Sequence, residues 1–373
     1  MRQVAGAFRF LPISLTFPVS QQQLLVLQIQ DIAFGGKGVA RHAGKVVFVP
    51  FTAPGDTVTA RTTKEKKSFA EARVVNLATP SPDRVEPPCP YFGACGGCVY
   101  QHLNYDAQLA IKSRQVADTL RRVGKLEAVP MQPIVGSPQP FGYRNRIRVH
   151  RAEGATGFFG FESRKLVDVK ECRLAQPEVN EALRKLRHSR VEDGDYSLRA
   201  PGGSGPFFEQ TNEGVTQALI EMLDRTLKKG QALFVDAYCG GGLFARALRS
   251  HAEKVIGIET NGAAIAFARQ HAKPGQNFIH GDVADHLGEI LSTHPLDQTT
   301  VLLDPPAEGV TSRVTDFLLA NPPAEIAYVS CNPATLARDL ALLKSAFRIE
   351  SVTPLDMFPQ TAEIEVFAHL VRI

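Results

Sequence analysis

The run Ile326-Ala327-Tyr328-Val329-Ser330-Cys331-Asn332-Pro333 reads as a buried strand that ends on a thiol. A cysteine at such a strand exit, followed by Asn-Pro, lies where open α/β sheets bind ligands. Its thiolate can attack an electron-poor carbon directly. The competing reading is a packed, inert cysteine, because free cysteines are among the most buried residues.

Two further groupings keep Cys331 company. Asp236-Ala237-Tyr238-Cys239-Gly240-Gly241-Gly242 follows an apolar strand and opens a helix, and Glu259 ends the next strand. Glycines there let backbone approach a ligand, and an acid after the second strand suits ribose hydroxyls. The spacing is not that of a dinucleotide fingerprint. Acids before and after the loop instead suit adenosylmethionine, which is cationic and carries no phosphate. Asp236, Tyr238, Gly240, Gly242 and Glu259 are therefore its candidate contacts. Asp282, after the third strand, would face the adenine, or simply start a helix. The fourth strand ends Leu302-Leu303-Asp304-Pro305-Pro306, which suits methyl transfer to planar amines, but Ala307 follows where a stacking aromatic would be needed. Cys239 reads as packing.

Cys89, Cys95 and Cys98 cluster, and Cys172 stands alone later. Three thiols plus one can complete a four-sulfur site for zinc or for a cubane iron–sulfur cluster; the three-plus-one spacing favours the cluster. Six cysteines in 373 residues without an export signal argue against a disulfide framework and for a reducing cytoplasm.

The elements that must hold these groups fall into three stretches. After a leader over residues 1–23, residues 24–80 are short, strand-rich and punctuated by glycines, as in a small barrel. Residues 81–225 carry the cysteines, a helix over Tyr105 to Val123 and further strands. Residues 226–373 alternate strand and helix, with two closing strands able to pair antiparallel, as in a doubly wound sheet. Net charge is +4, yet residues 1–173 carry +11 and the remainder −7. A basic front on an acidic back points to a polyanion-binding module joined to a catalytic one. No apolar run reaches the roughly 18 residues that span a bilayer, and a monomer is expected.

Taken together, Cys89-Pro90-Tyr91-Phe92-Gly93-Ala94-Cys95-Gly96-Gly97-Cys98, DAYCGGG, LLDPP, SCNPATLARDL and DMFPQTAEIE resemble the bacterial RNA (uracil-5-)methyltransferase family. The likeness runs over nearly the whole chain after residue 23 and is nearest to the iron–sulfur branch acting on large-subunit ribosomal RNA. The resemblance implies a fold: a TRAM-like barrel, an α+β iron–sulfur domain and a Rossmann-like methyltransferase sheet. It also implies S-adenosylmethionine as cofactor, a [4Fe-4S] cluster on Cys89, Cys95, Cys98 and Cys172, and structured RNA, ribosomal or transfer, as partner. By the same resemblance Cys331 adds to uracil C6 and Glu365 removes the C5 proton. Gln210, Tyr238, Glu259, Asp282 and Asp304 are placed in the cofactor or substrate pocket. The chain departs from the family at Ala307 (often arginine), Glu363 (usually histidine) and Leu243 (asparagine in some members), which touches the pocket's shape and not its nucleophile or base. The rival readings are an exocyclic-amine methyltransferase built on Asp304-Pro305-Pro306 and an RNA-binding protein with a vestigial catalytic domain.

Overall fold

The computed structural model of the protein describes residues 23–202 and 209–373. The expected leader, but for Gln23, lies outside the described residues. Three sheets follow one another along the chain.

The first is six-stranded: β1 (Leu24–Gln28), β2 (Asp31–Ile32), β3 (Lys37–His42), β4 (Lys45–Pro50), β5 (Thr57–Glu65) and β6 (Phe69–Thr79), in the order β1-β5-β6-β4-β3-β2. Strict alternation in β1, where Leu25 and Leu27 are buried between exposed neighbours, turns one face inward. The inner residues Leu25, Leu27, Val47, Val49, Val58 and Ala60 form its core. Buried Asp56 ties this sheet to the linker: it accepts from Ala53 N, Ser81 N and the Arg84 guanidinium, at 2.6–2.9 Å.

Helix α1 (Tyr105–Arg122) comes next, capped by Asn104, whose side chain accepts from Ala107 N. The second sheet has β7 (Arg146–Ala152), β8 (Ala155–Phe159), β9 (Leu166–Asp168) and β10 (Gly194–Arg199), in the order β10-β7-β8-β9. Helix α2 (Pro177–His188) covers one face of it, packing Val179 and Leu183 on Ile147 and Val149. Helix α3 (Glu213–Thr226) falls within the stretch read from the sequence as central domain. Its Val215, Leu219 and Leu223 nevertheless pack with Phe234 and Phe367 of the third sheet.

That third sheet holds β11 (Gln231–Ala237), β12 (Ala252–Glu259), β13 (Gln276–His280), β14 (Thr299–Leu303), β15 (Glu325–Ser330), β16 (Phe347–Leu355) and β17 (Glu365–Arg372). Their order is β13-β12-β11-β14-β15-β17-β16. Connecting helices are α4 (Leu243–Ala247), α5 (Gly262–Gln270), α6 (Val283–Ser292), α7 (Ser312–Ala320) and α8 (Pro333–Leu343). β14 and β15 are buried at every residue, as strands covered on both faces must be. The expected doubly wound sheet is present, with its closing hairpin: β17 pairs antiparallel with both β15 and β16. The order reverses at β11, which lies between β12 and β14. Ligands bind beyond the carboxyl ends of strands at such a point. Because β17 runs the other way, its first residue, Glu365, arrives at the edge where β15 delivers Cys331.

Candidate active site

The loop after β11 is shaped by backbone conformations that favour glycine. Tyr238, Gly240 and Gly242 have φ of 68°, 50° and 77°. At Gly242 a Cβ would also sit 3.0 Å from the Phe278 ring, so a side chain there is both strained and crowded. Glu259 holds the loop open: its carboxylate accepts from Gly240 N (3.0 Å), Thr260 Oγ1 (3.1 Å) and Asn261 N (2.7 Å). Asp236, fully buried, accepts from Ala245 N at 2.7 Å and so anchors α4. Its other oxygen, Oδ1, is buried with no hydrogen-bond partner among the described residues. Burial pushes the Asp236 carboxyl up to about 7.

A cavity of about 380 Å³ opens beside this loop, between the second and third sheets. Gln210, Tyr238, Gly240 and Asp304 line it, with Leu243, a departure position, on the wall. Glu259 reaches it through its bond to Gly240. Asp282 is placed differently: it is exposed and caps α6, accepting from Ala284 N at 2.8 Å. Cys239 is buried in an apolar cluster and its thiol is pushed far up by burial, so it packs. The groups match adenosylmethionine: a backbone loop that accepts a close ligand, and acids around a cationic one.

Cys331 is exposed at the exit of β15. Burial of its thiol, then the Glu365 and Asp304 charges, push it up to about 11. Glu365 is buried, and burial followed by the nearby Asp304 charge raises it well above the usual carboxylate range. Burial likewise pushes Asp304 up to about 7. Among the described residues neither carboxylate takes a side-chain hydrogen bond. The thiol and the two desolvated acids are near enough to feel one another's charge.

Sequence reading missed what holds them. Asn332 caps α8 through Ala334 N, while its amide donates to Ala307 O at 2.9 Å. Thr335 Oγ1 donates to the same carbonyl at 3.0 Å, and Arg338 to Glu308 O and Val310 O. Asp339 accepts from Val310 N and from Tyr328 Oη at 3.1 and 2.6 Å. Asn332, Thr335, Arg338 and Asp339 thus clasp the loop after Asp304 to the helix after Cys331. A second clasp holds the segment before Glu365. Lys112 of α1, fully buried, lies 2.5 Å from Asp356 and donates to Phe358 O and Glu363 O. Tyr105 Oη donates to Asp356 at 2.9 Å.

The four expected ligand cysteines are free, half-buried thiols close enough to influence one another electrostatically. Burial, then mutual repulsion with Cys172 and Cys89, pushes Cys95 up to about 11; burial and the other three thiols push Cys98 up to about 12. Among the described residues no three His, Cys, Asp or Glu side chains form a group able to hold a metal ion. A single zinc ion draws thiolates tightly together, since Zn–S bonds are about 2.3 Å. A cubane is larger and keeps its ligands wider apart. The loop is docked rather than loose. Gly96 N donates to Phe159 O at 2.9 Å, and Val99 N and Tyr100 N donate to Gln360 O at 3.0 and 3.1 Å.

A Rossmann-like sheet with this cavity and strand-exit thiol, preceded by a small six-stranded sheet, fits a methyltransferase. Comparison with known proteins makes this specific. Residues 289–373 match the tRNA (Uracil-5-)-methyltransferase family, and residues 19–75 match the TRAM domain. An uncharacterised RNA methyltransferase of Protochlamydia amoebophila is 31% identical, covering 93% of this chain and 97% of its own. Another from Bdellovibrio bacteriovorus is 32% identical, covering 92% and 94%. The crystal structure of Pyrococcus abyssi tRNA (uracil-54, C5)-methyltransferase with S-adenosyl-L-homocysteine superposes with a TM-score of 0.70 at 26% identity, covering 93% of this chain and 100% of that one. The chain belongs to the RNA (uracil-5-)methyltransferase family and is a TRAM-containing RNA methyltransferase. Among the described residues no helix is long and apolar enough to cross a membrane.

Proposed function

We propose that the protein uses S-adenosylmethionine to methylate C5 of a uridine in RNA, through a covalent Cys331–C6 adduct. The observation that carries this reading is the meeting, at the paired ends of β15 and β17, of one exposed thiol with two desolvated carboxylates beside the glycine-loop cavity, neither of which takes a side-chain hydrogen bond among the described residues. The Pyrococcus neighbour, solved with S-adenosyl-L-homocysteine, supports the cofactor.

Uracil C5 is a poor nucleophile, so its ring must be activated first. Cys331 Sγ adds to C6, its proton leaving to a neighbouring base, and the ring electrons pass to O4. Adenosylmethionine, when bound, supplies an electrophilic methyl on a sulfonium. C5 takes that methyl, and Glu365 then removes the C5 proton. The electron pair re-forms the C5–C6 double bond and expels the Cys331 thiolate. Asp236, Tyr238, Gly240, Gly242, Glu259 and Gln210 shape the cofactor side; Asp304 stands between it and the base. Cys89, Cys95, Cys98 and Cys172 would hold a [4Fe-4S] cluster, which would fasten the cysteine loop that Gln360 accepts from and would take no part in the transfer.

Large-subunit ribosomal RNA is the substrate we favour, from the likeness to the iron–sulfur branch. The transfer RNA reading has its own support in the matched family and in the Pyrococcus enzyme. RNA containing 5-fluorouridine should be methylated once and then trapped, because fluorine cannot leave C5 as a proton. The adduct should survive denaturing gels and vanish in Cys331→Ala. A Cys331→Ala enzyme that still methylates RNA would overturn the covalent route. Mass-spectrometric mapping of 5-methyluridine in ribosomal and transfer RNA from a deletion strain decides between the two RNAs.

A further inference from the structure

The second sheet has one covered face and one open face. On β7, Ile147 and Val149 point to α2, so Arg146, Arg148 and His150 point the other way. Opposite them on β10 stand Arg199, Ser197 and Asp195, in register. On β8, Phe158 joins the α2 core, whereas Phe159 is 45% exposed. The Phe159 ring stacks on His150, centroids 4.1 Å apart at 29°. Asp195 fixes this face: it lies 2.5 Å from His150 Nδ1 and accepts from Arg148 Nη2 at 2.7 Å, while the Arg148 side chain stays 70% exposed.

This face is continuous with the cavity, because Arg146 and Arg199, at its other end, line that cavity. From Arg146 to His150 is four strand residues, about 13 Å. A strand of RNA leaving the cavity would reach the aromatic pair after about two to four nucleotides. Arg164 and Lys165, both exposed, flank Phe159 on the β8–β9 turn. Exposed aromatics among cations on a sheet face are suited to stacking unpaired bases and neutralising their phosphates.

We infer that the open face of the β10-β7-β8-β9 sheet is a docking track for single-stranded RNA flanking the target nucleotide, with Phe159 and His150 stacking one unpaired base. It rests on RNA being the substrate, not on which atom is methylated. Binding is therefore measured without turnover, by fluorescence anisotropy of a labelled oligouridylate of about 12 nucleotides and of an RNA duplex of the same length. Phe159→Ala should weaken oligouridylate binding about tenfold and leave duplex binding and S-adenosylhomocysteine affinity unchanged. Phe159→Trp should restore the oligouridylate affinity, and Arg148→Ala should flatten the salt dependence. Unchanged oligouridylate affinity in Phe159→Ala, an equal loss on both RNAs, or a wild-type enzyme that does not bind the oligouridylate would each overturn the inference. Stacking without any 5-methyluridine formation would instead refute the methylation reading and leave this one standing.

Discussion

Glu259 and Glu365, at the two ends of the catalytic cleft, are used in opposite ways. At the cofactor end, Glu259 accepts hydrogen bonds from Gly240, Thr260 and Asn261, while Asp236 beside it anchors Ala245 through one oxygen and is itself raised by burial. At the reacting end, Asp304 and Glu365 take no side-chain hydrogen bond among the described residues, and burial raises both. An acid satisfied by donors builds a loop. A desolvated acid without donors holds a proton more tightly than a solvated one, which suits a group that must take the C5 proton. Position in the fold explains the contrast: Glu259 faces donors from the glycine loop and from the approach to the next helix, while Glu365 opens an antiparallel strand.

The contrast is broken most severely at Glu365. Glu365→Gln should leave addition and methyl transfer possible but stall release. Turnover should fall on the order of 10³-fold or more, with denaturant-stable adducts accumulating on ordinary RNA. Free product without adduct would show that another group removes the proton. Next in size is Lys112→Met. It strands the buried Asp356 charge and unclasps the segment before Glu365. Unfolding in urea should register a loss of about 3–5 kcal/mol. A loss under 1 kcal/mol would mean that the clasp is not needed to hold the reacting end.

The cofactor end should respond differently. Glu259→Gln keeps shape and removes charge, so S-adenosylhomocysteine affinity by calorimetry should fall about tenfold, the worth of one or two charge-assisted hydrogen bonds. The fraction of enzyme trapped by 5-fluorouridine RNA at saturating cofactor should not change. A changed trapped fraction would erase the distinction between the two ends.

Much of this was legible in the sequence because strand exits carry the chemistry. Cys331, Asp304, Glu259 and the glycine loop sit where buried strands stop, and buried strands are visible as apolar runs. The clasps were not legible. Asn332, Thr335 and Arg338 stand in the quoted run, but their acceptors are the backbone carbonyls of Ala307, Glu308 and Val310, which leave no trace in residue type. Nor does any local pattern tell that Lys112 meets Asp356, 244 residues away. The basic front half was read, from its charge count, as a polyanion-binding module. In the barrel, Lys37, Lys45, Lys64 and Arg73 are in fact paired with Glu65, Glu71 or Glu162. A charge count sees sign, not spatial partners.

The smallest expected effect lies at Asp304, and its sign is fixed by linkage. Burial pushes this carboxyl from its ordinary 3.8 up to about 7 in the folded protein. Between those values the native state binds more protons than the unfolded chain. Stability contributed by the group is therefore present below about pH 4 and is lost as pH rises through about 7. Asp304→Asn removes that dependence. Relative to wild type, the variant should gain stability as pH rises from about 4 through about 7, and little or nothing near pH 4. Removing the Asp304 charge also relieves Glu365 and Cys331, both raised by it after burial. Whatever turnover survives should then show its acid limb at lower pH than wild type. Urea midpoints at pH 5 and pH 8 test the first half, and single-turnover methylation across pH tests the second. Parallel stability profiles for the two proteins would mean that Asp304 is already ionised in the native state, and the difference between the two ends of the cleft would then reside in Glu365 alone.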